Sequence, residues 1–483
     1  MNRFHGVCWA LAVTVPLVGA CGSDEEEQGM DGAGKADQIS GRDDPSGLLT
    51  NAERRLNKLV TTADIGKTFG RDDADAPYPD TYWPMVDNGV AVEWLEQSGD
   101  KCDTANECSD PQPSPLAKYI MLTSPADLDD AVAWEVKHHG KDVPNVADWF
   151  GHCPGWTASA QLHAPLRGPT SFKKSGSGVA RCSAGESGCI TFQIGDINAL
   201  QAEAFNNARS RFIGARCDTE PAEIERDEFG RIVRNGSGCQ GLNAGAMVIV
   251  AANMMKLEKK SFNIDAQNEF NTEQIWNQPA YRYTVNRFEP LDESEAANLV
   301  ASGGSSRTGD HDTYQWNDDA KGFALVDFSI HWVSEVGPNV EFISGTRSTR
   351  QTRMSAVIEL DGDASNPEAE IIGGEYLDDE SIGANRLRVH PFVWVAFDVG
   401  PDNDGGHNPF VKGEIVKQMI SLALGSAGQD DCAHDVCSSG AALDAACSSC
   451  AGTVCGEDAF CCTQNWDDTC AQEAGSLCGI TCP

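Results

Sequence analysis

Positive charge is what this sequence lacks most. Its 483 residues carry 36 lysines and arginines against 73 acidic side chains, a formal net charge of −37. So negative a surface repels phosphate backbones, which excludes nucleic acid as a partner. Long apolar runs are missing too. No segment approaches the ~18 consecutive apolar residues of a spanning helix. Histidine is scarce, ten in all, and none lies between His163 and His311. That gap withholds the commonest general base from a long central stretch. Apolar matter is not short: 40% of the chain is hydrophobic, enough for a core, so wholesale disorder is excluded. The length fits two or three domains. The surplus acid reads as solubility, with some capacity for hard cations such as calcium. Nineteen cysteines are too many for a reduced cytosol and point to an oxidising compartment.

Residues 1–20 read as a signal peptide: a short basic start (Arg3, His5), an apolar run from Trp9 to Val18, then small residues. The ending Val18-Gly19-Ala20-Cys21 resembles a bacterial lipobox, in which Cys21 is lipidated and becomes the new N-terminus. Residues 21–50 are rich in Gly, Asp, Glu and Ser and read as a disordered acidic tether. Gly22 after the cysteine favours export past the inner membrane, so an outer-membrane or cell-surface lipoprotein is expected.

Cysteine counting isolates one thiol. Cys8 leaves with the signal peptide and Cys21 takes the lipid. Ten cysteines crowd between Cys432 and Cys482, in a segment too small to hold itself together without staples. Residues 429–483 are therefore expected to be a separate disulfide-rich module, although Cys447-Ser448-Ser449-Cys450 is also a zinc-like spacing. Seven cysteines remain in the body. Sequence neighbours suggest the pairs Cys102–Cys108, Cys182–Cys189 and Cys217–Cys239, one of many connectivities that six cysteines allow. Cys153 is left over.

Its surroundings single it out further. Gly151-His152-Cys153-Pro154-Gly155-Trp156 runs into a helix-forming stretch, with Pro154 suited to the first helical turn. Amides and dipole at a helix N-terminus favour a thiolate, so a lowered thiol pKa is expected. A cysteine so placed beside a tryptophan is how papain-like enzymes present their nucleophile. The plain alternative is a glycine turn with a packed, inert cysteine.

From about Tyr78 to Leu422 the chain resembles the transglutaminase elicitor family of oomycete plant pathogens and some secreted bacterial proteins. The blocks that carry this are Pro77-Tyr78-Pro79-Asp80-Thr81-Tyr82-Trp83-Pro84-Met85, the turn around Cys153, Asp196 to Leu200, and Gly214 to Cys217. Ile275-Trp276-Asn277-Gln278-Pro279 with Tyr283-Thr284-Val285 is similar to the surface peptide that plants perceive. Ile371 to Tyr376 and His390 to Trp394 follow in order. The resemblance implies a calcium-dependent transglutaminase with a papain-like core, taking glutamine- and lysine-bearing proteins or peptides as substrates. Residues 51–428 would form that domain, an α+β fold with a papain/transglutaminase-like core and a β-rich second region.

In that chemistry the Cys153 thiolate attacks a glutamine side-chain amide, and an amine or water resolves the thioester. Asp265, ending the alternating segment Ser261-Phe262-Asn263-Ile264-Asp265, is the candidate orienting carboxylate; a strand-end turn aspartate is its bland reading. The base is harder to place. The family's histidine is expected at the start of a strand Ala246–Asn253, where Val248 stands. His152 diverges from Cys153 as a sequence neighbour, and His163 lies ~15 Å along the helix. His311, His331, His390 and His407 remain, and His390, inside a resembling block, is the candidate base. Without one the chain would be a degenerate, surface-binding member. A cysteine peptidase or amidase of the same fold is the other alternative.

Alternating apolar residues at 323–345, 354–360 and 389–397 predict strands of the β-rich region. The loop Asp398 to Gly406 is oxygen-rich enough for calcium but lacks EF-hand spacing, so a solvated turn is the stronger reading; Asp361-Gly362-Asp363 is weaker still. The C-terminal segment resembles cysteine-rich tails on secreted hydrolases of myxobacteria-like bacteria.

Overall fold

The computed structural model describes residues 39, 43–48, 62–65, 68–72, 76–94, 113–216, 223, 241–266, 274–302, 316–337, 348–379, 381–384, 389–402, 405–425, 432–445, 447 and 449–478. The signal segment, Cys21 and the pairs Cys102–Cys108 and Cys217–Cys239 lie outside them. Residues 43–48 fall within the expected tether, yet Leu48 there is buried in a core cluster, so ordered packing begins before residue 50.

Four elements lie at the margins of the N-terminal half: α1 (Thr62–Ile65), β1 (Thr68–Gly70), α2 (Pro115–Thr123) and α3 (Leu128–His138). Next come α4 (Cys153–Leu162), the hairpin sheet β2 (Thr170–Ser175), β3 (Gly178–Arg181) and β4 (Cys189–Phe192), and α5 (Ile194–Ala204). Then follow β5 (Arg209–Gly214), α6 (Ala244–Ala251) running into a π-helical turn Ala252–Leu257, β6 (Phe262–Asp265), β7 (Asn277–Leu291) and α7 (Glu293–Ser302). The long strands β8 (Gly322–Ser334) and β9 (Ser348–Leu360), with β10 (Ile371–Leu377), β11 (Phe392–Asp398) and α8 (Gly413–Gly425), complete the body. Strands of the β-rich region are thus found as β8, β9 and β11, although β8 ends at Ser334 and residues 338–345 of the expected segment lie outside the described residues.

One large antiparallel sheet organises these pieces, in the order β10-β9-β8-β7-β6-β11-β5, with β1 also paired to β7. Side chains alternate across it, as a pleated strand requires. On one face Phe262, Ile264, Val326, Phe328 and Val393 join α6 in a single core cluster. On the other, Phe392, Trp394 and Ala396 pack with α2, α4, α5 and α8. The same alternation turns Asn263 and Asp265 toward α4: the Asn263 amide donates to the side chain of Gln161 on α4 at 3.3 Å.

Residues 246–253 are helix, not the expected strand. The run is apolar throughout, and such a run has no periodicity to separate a buried strand from a buried helix. Asn243 decides the matter locally, its side chain capping the amides of Gly245 and Ala246. Val248 is consequently sealed in the α6 cluster, on the sheet face away from α4. It does not stand at a catalytic strand position.

In the C-terminal segment, α9 (Ser449–Glu457), α10 (Phe460–Thr463), α11 (Asp468–Cys478) and the pair β12 (Gly440–Ala441) and β13 (Asn465–Trp466) surround Trp466. The disulfides are Cys432–Cys447, Cys450–Cys478, Cys455–Cys462 and Cys461–Cys470, and Cys437 is oxidised as well. Both thiols of the zinc-like Cys447–Cys450 spacing are therefore consumed in bridges. In the body, Cys182–Cys189 closes the β3–β4 connection as expected. No helix among the described residues is long and apolar enough to cross a membrane.

Candidate active site

Cys153 is a free, buried cysteine at the first position of α4, with Pro154 in the first turn. The turn before it is held by backbone contact: the His152 amide donates to the Tyr82 carbonyl at 2.6 Å. Gly151 is required there, since a Cβ at that position would sit 2.0 Å from the same carbonyl. The strap that supplies Tyr82 is itself anchored. Asp80, pushed up to about 8 by burial, accepts from the Thr81 amide and the Trp83 indole. The Asp80 carbonyl accepts from Val336 N–H at 2.9 Å, tying the strap to the chain just beyond β8.

Two carboxylates act on the Cys153 thiol. Burial raises its pKa well above the usual value, and the charges of Glu335 and then Asp265 raise it further; only its own backbone amide pulls the other way. The expected lowering at a helix N-terminus is thus overturned, because desolvation and two acids outweigh the dipole. Cys153 rests as a thiol. It needs a base to become a nucleophile.

Asp265 ends β6 and its Oδ1 accepts the Trp276 amide at 3.0 Å. Glu335 follows β8; burial pushes it up to about 7, against the lowering influence of the Gln278 amide, 3.4 Å away, and of Arg350. Sequence reading missed Glu335, which stands in no resembling block. Its only signal is an acid two residues past Val333, just beyond the end of a strand. Half-buried Tyr82 and Trp276, ring centroids 6.1 Å apart, complete the aromatic wall of the site.

Most of the histidines have partners of their own, while His390 keeps its buried Nε2 without a hydrogen-bond partner among the described residues. His390 and Asp265 do come together, but through the backbone: His390 Nδ1 lies 2.7 Å from the Asp265 carbonyl, not its carboxylate. Burial lowers the His390 pKa to about 4 and keeps the ring neutral. His163 contacts Ser159, His331 sits between Arg282 and Thr284, and His407 contacts Asn207. His152 points away from Cys153, its Nε2 2.6 Å from Glu203. His311 lies outside the described residues.

The segment Trp276-Asn277-Gln278-Pro279 is not a surface peptide here. Asn277 and Gln278 are buried, and both side chains are engaged. Asn277 Oδ1 accepts from the Trp394 indole at 2.8 Å, and Gln278 reaches Glu335. These residues scaffold the thiol site. In the acidic loop, Asp398 pairs with Lys417 at 2.8 Å and Asp402 lies between His407 and Lys412, while Asn403 and Asp404 lie outside the described residues. Asp361 and Asp363 cap local amides of Glu370 and Ser365.

Comparison with known proteins agrees with this architecture. No curated protein matches the chain at a significant level. The crystal structure of the GP42 transglutaminase from Phytophthora sojae is similar, with a TM-score of 0.51 and 18% identity over 80% of this chain and 98% of that one. At that identity the likeness is one of fold. A family model described as a domain of unknown function (DUF8252) matches residues 430–482, the disulfide-rich segment. The model described as transglutaminase elicitor matches residues 126–405, more than half of the sequence and spanning Cys153, Asp265 and Glu335, and the chain belongs to the transglutaminase elicitor family.

Proposed function

We propose that the protein is an exported protein-glutamine acyltransferase in which Cys153 is the nucleophile and Glu335 the general base, with Asp265 positioned beside them. The observation that carries this reading is the free thiol at the start of α4 under the charge of two carboxylates, one of them titrating near neutrality. Cys153 sulfur adds to the γ-carboxamide carbon of a glutamine as its proton passes to the Glu335 carboxylate. Glu335 returns that proton to the departing nitrogen, ammonia leaves, and a thioester remains. A lysine amine, another amine or water then attacks. Glu335 takes the new proton and delivers it to the released sulfur, which restores the thiol. Asp265, fixed by Trp276 N–H, can accept a hydrogen bond from an incoming neutral amine and orient it. Calcium dependence is carried only by family likeness.

The test is incorporation of a biotinylated primary amine into a glutamine-bearing protein. The full chain should catalyse it, and Cys153→Ala should abolish it. Peptide-bond cleavage in place of amine incorporation would support the peptidase or amidase alternative. A second reading, a non-catalytic binding protein, is favoured by His390, whose Nδ1 meets the Asp265 carbonyl and not a carboxylate. The absence of both incorporation and cleavage by the folded full chain would support it.

Export and anchoring through Cys21 are proposed on the lipobox-like ending and are compatible with the disulfides. Cys21→Ala should leave the protein unlabelled by a fatty-acid probe and release it from the membrane fraction; unchanged labelling would sink the anchor.

A further inference from the structure

A second polar centre lies on the other side of the nucleophile turn. Glu135 of α3, His139 just after α3, His152 and Glu203 of α5 each turn one ligand atom toward a common point, all within 4.8 Å of one another. Glu135, His152 and Glu203 are buried, and the His139 side chain is 13% exposed. Asn408 fixes the two carboxylates from behind. Its side-chain amide donates to Glu135 Oε2 at 2.9 Å, and its backbone N–H donates to Glu203 Oε1. That leaves Glu135 Oε1 and Glu203 Oε2 facing the rings, where their only partners among the described residues are His139 Nδ1 and His152 Nε2 themselves.

Two carboxylates and two imidazoles gathered from three chain segments would be expensive to bury if nothing joined them. Their separations are informative. His152 Nε2 lies 3.5 Å and His139 Nδ1 3.9 Å from Glu135 Oε1. Ligands ~2.0–2.1 Å from a tetrahedral ion stand ~3.4 Å apart. Only the His152–Glu203 contact, at 2.6 Å, is shorter.

We infer that Glu135, His139, His152 and Glu203 form a site for a borderline divalent transition ion, zinc above all. Two imidazoles and two carboxylates suit that class, whereas calcium takes six to eight oxygens and no nitrogen. Asn408 supplies the outer support such carboxylate ligands need. The ion would tie α3, α5 and the residue before Cys153 into one piece, bracing the nucleophile turn without touching the reaction. The cluster needs no assumption about transglutaminase activity.

The test uses the full chain, stripped with a chelator, dialysed, and titrated with Zn2+ and Co2+. One bound zinc per chain is expected, retained in millimolar calcium, with visible Co2+ absorption of a tetrahedral N/O site. His139→Gln, at the partly exposed rim, and Glu203→Gln should each weaken zinc binding by about 100-fold. A circular-dichroism melt reports whether each variant remains folded, and His139→Gln serves if buried Glu203→Gln does not. Absence of bound zinc, displacement by calcium, or a folded His139→Gln protein that binds zinc as tightly as the parent would each overturn the site and leave a buried ion-pair network in its place.

Discussion

Glu335→Gln will abolish turnover while making the folded protein more stable and its thiol more reactive. These three effects share one cause. As the base, Glu335 contributes on the order of 10²–10⁴-fold to the rate, which glutamine cannot supply. The amide preserves size and still accepts the Gln278 hydrogen bond, so packing is kept. Stability moves the other way. A carboxyl held at about 7 in the folded state, against an ordinary value of 4.5, favours the folded form only when protonated. Its penalty is absent below about pH 4.5, grows as pH rises toward 7, and is complete above that. At pH 8 the neutral variant should gain about 2–3 kcal/mol, and at pH 4 nothing. Loss of the charge also relieves the thiol, whose pKa Glu335 raises. Iodoacetamide should then label Cys153 faster in the variant at pH 8 than in the parent. Parent activity should rise through about pH 7 as the base deprotonates. A variant that loses stability together with activity would show that Glu335 is a packing residue, and the mechanism would fall.

Much of this arrangement is legible in the sequence. An odd cysteine on a Gly–Pro turn marks the free thiol, and a short alternating strand marks the position of Asp265, because both signals are local. The strands β8, β9 and β11 show in the same way. Three features are hidden for physical reasons. An all-apolar run carries no period, so α6 reads as a strand and Val248 as a site position. The charge of Glu335 reaches Cys153 only after β8 is laid beside β7, and a lone acid past a strand looks like any solvated one. The acids Glu135 and Glu203 sit on separate helices 68 residues apart in sequence, so nothing in the chain shows that they face His139 and His152. His390 comes near Asp265 because its block leads into β11, but a sequence cannot say whether a ring meets a carboxylate or the carbonyl behind it.

Gly155→Ala should be among the most damaging single-methyl additions in the chain. Helices α4 and α5 cross in closest contact at this point: a Cβ on Gly155 would lie 1.7 Å from the Ala202 carbonyl oxygen and 2.6 Å from its carbon. Those are backbone atoms in the middle of a buried helix, so no side-chain rotation relieves the overlap. The helices must separate. Overpacking of this kind costs about 3 kcal/mol, the upper part of the usual range. Activity should fall further than stability alone explains, because both ends of the displaced pair matter. Cys153 opens α4 two residues before Gly155, and Glu203 follows Ala202 on α5. Any shift moves the sulfur relative to Glu335 and Asp265, and a misplacement of ~1 Å can reduce a rate about 100-fold. Gly168→Ala is the matched control, with nothing within 4 Å of the added methyl. It should stay within about 0.5 kcal/mol of the parent and retain full amine incorporation. Equal melting temperatures for the two variants would mean that α4 and α5 do not pack this closely, and the placement of Cys153 against the two acids would have to be redrawn.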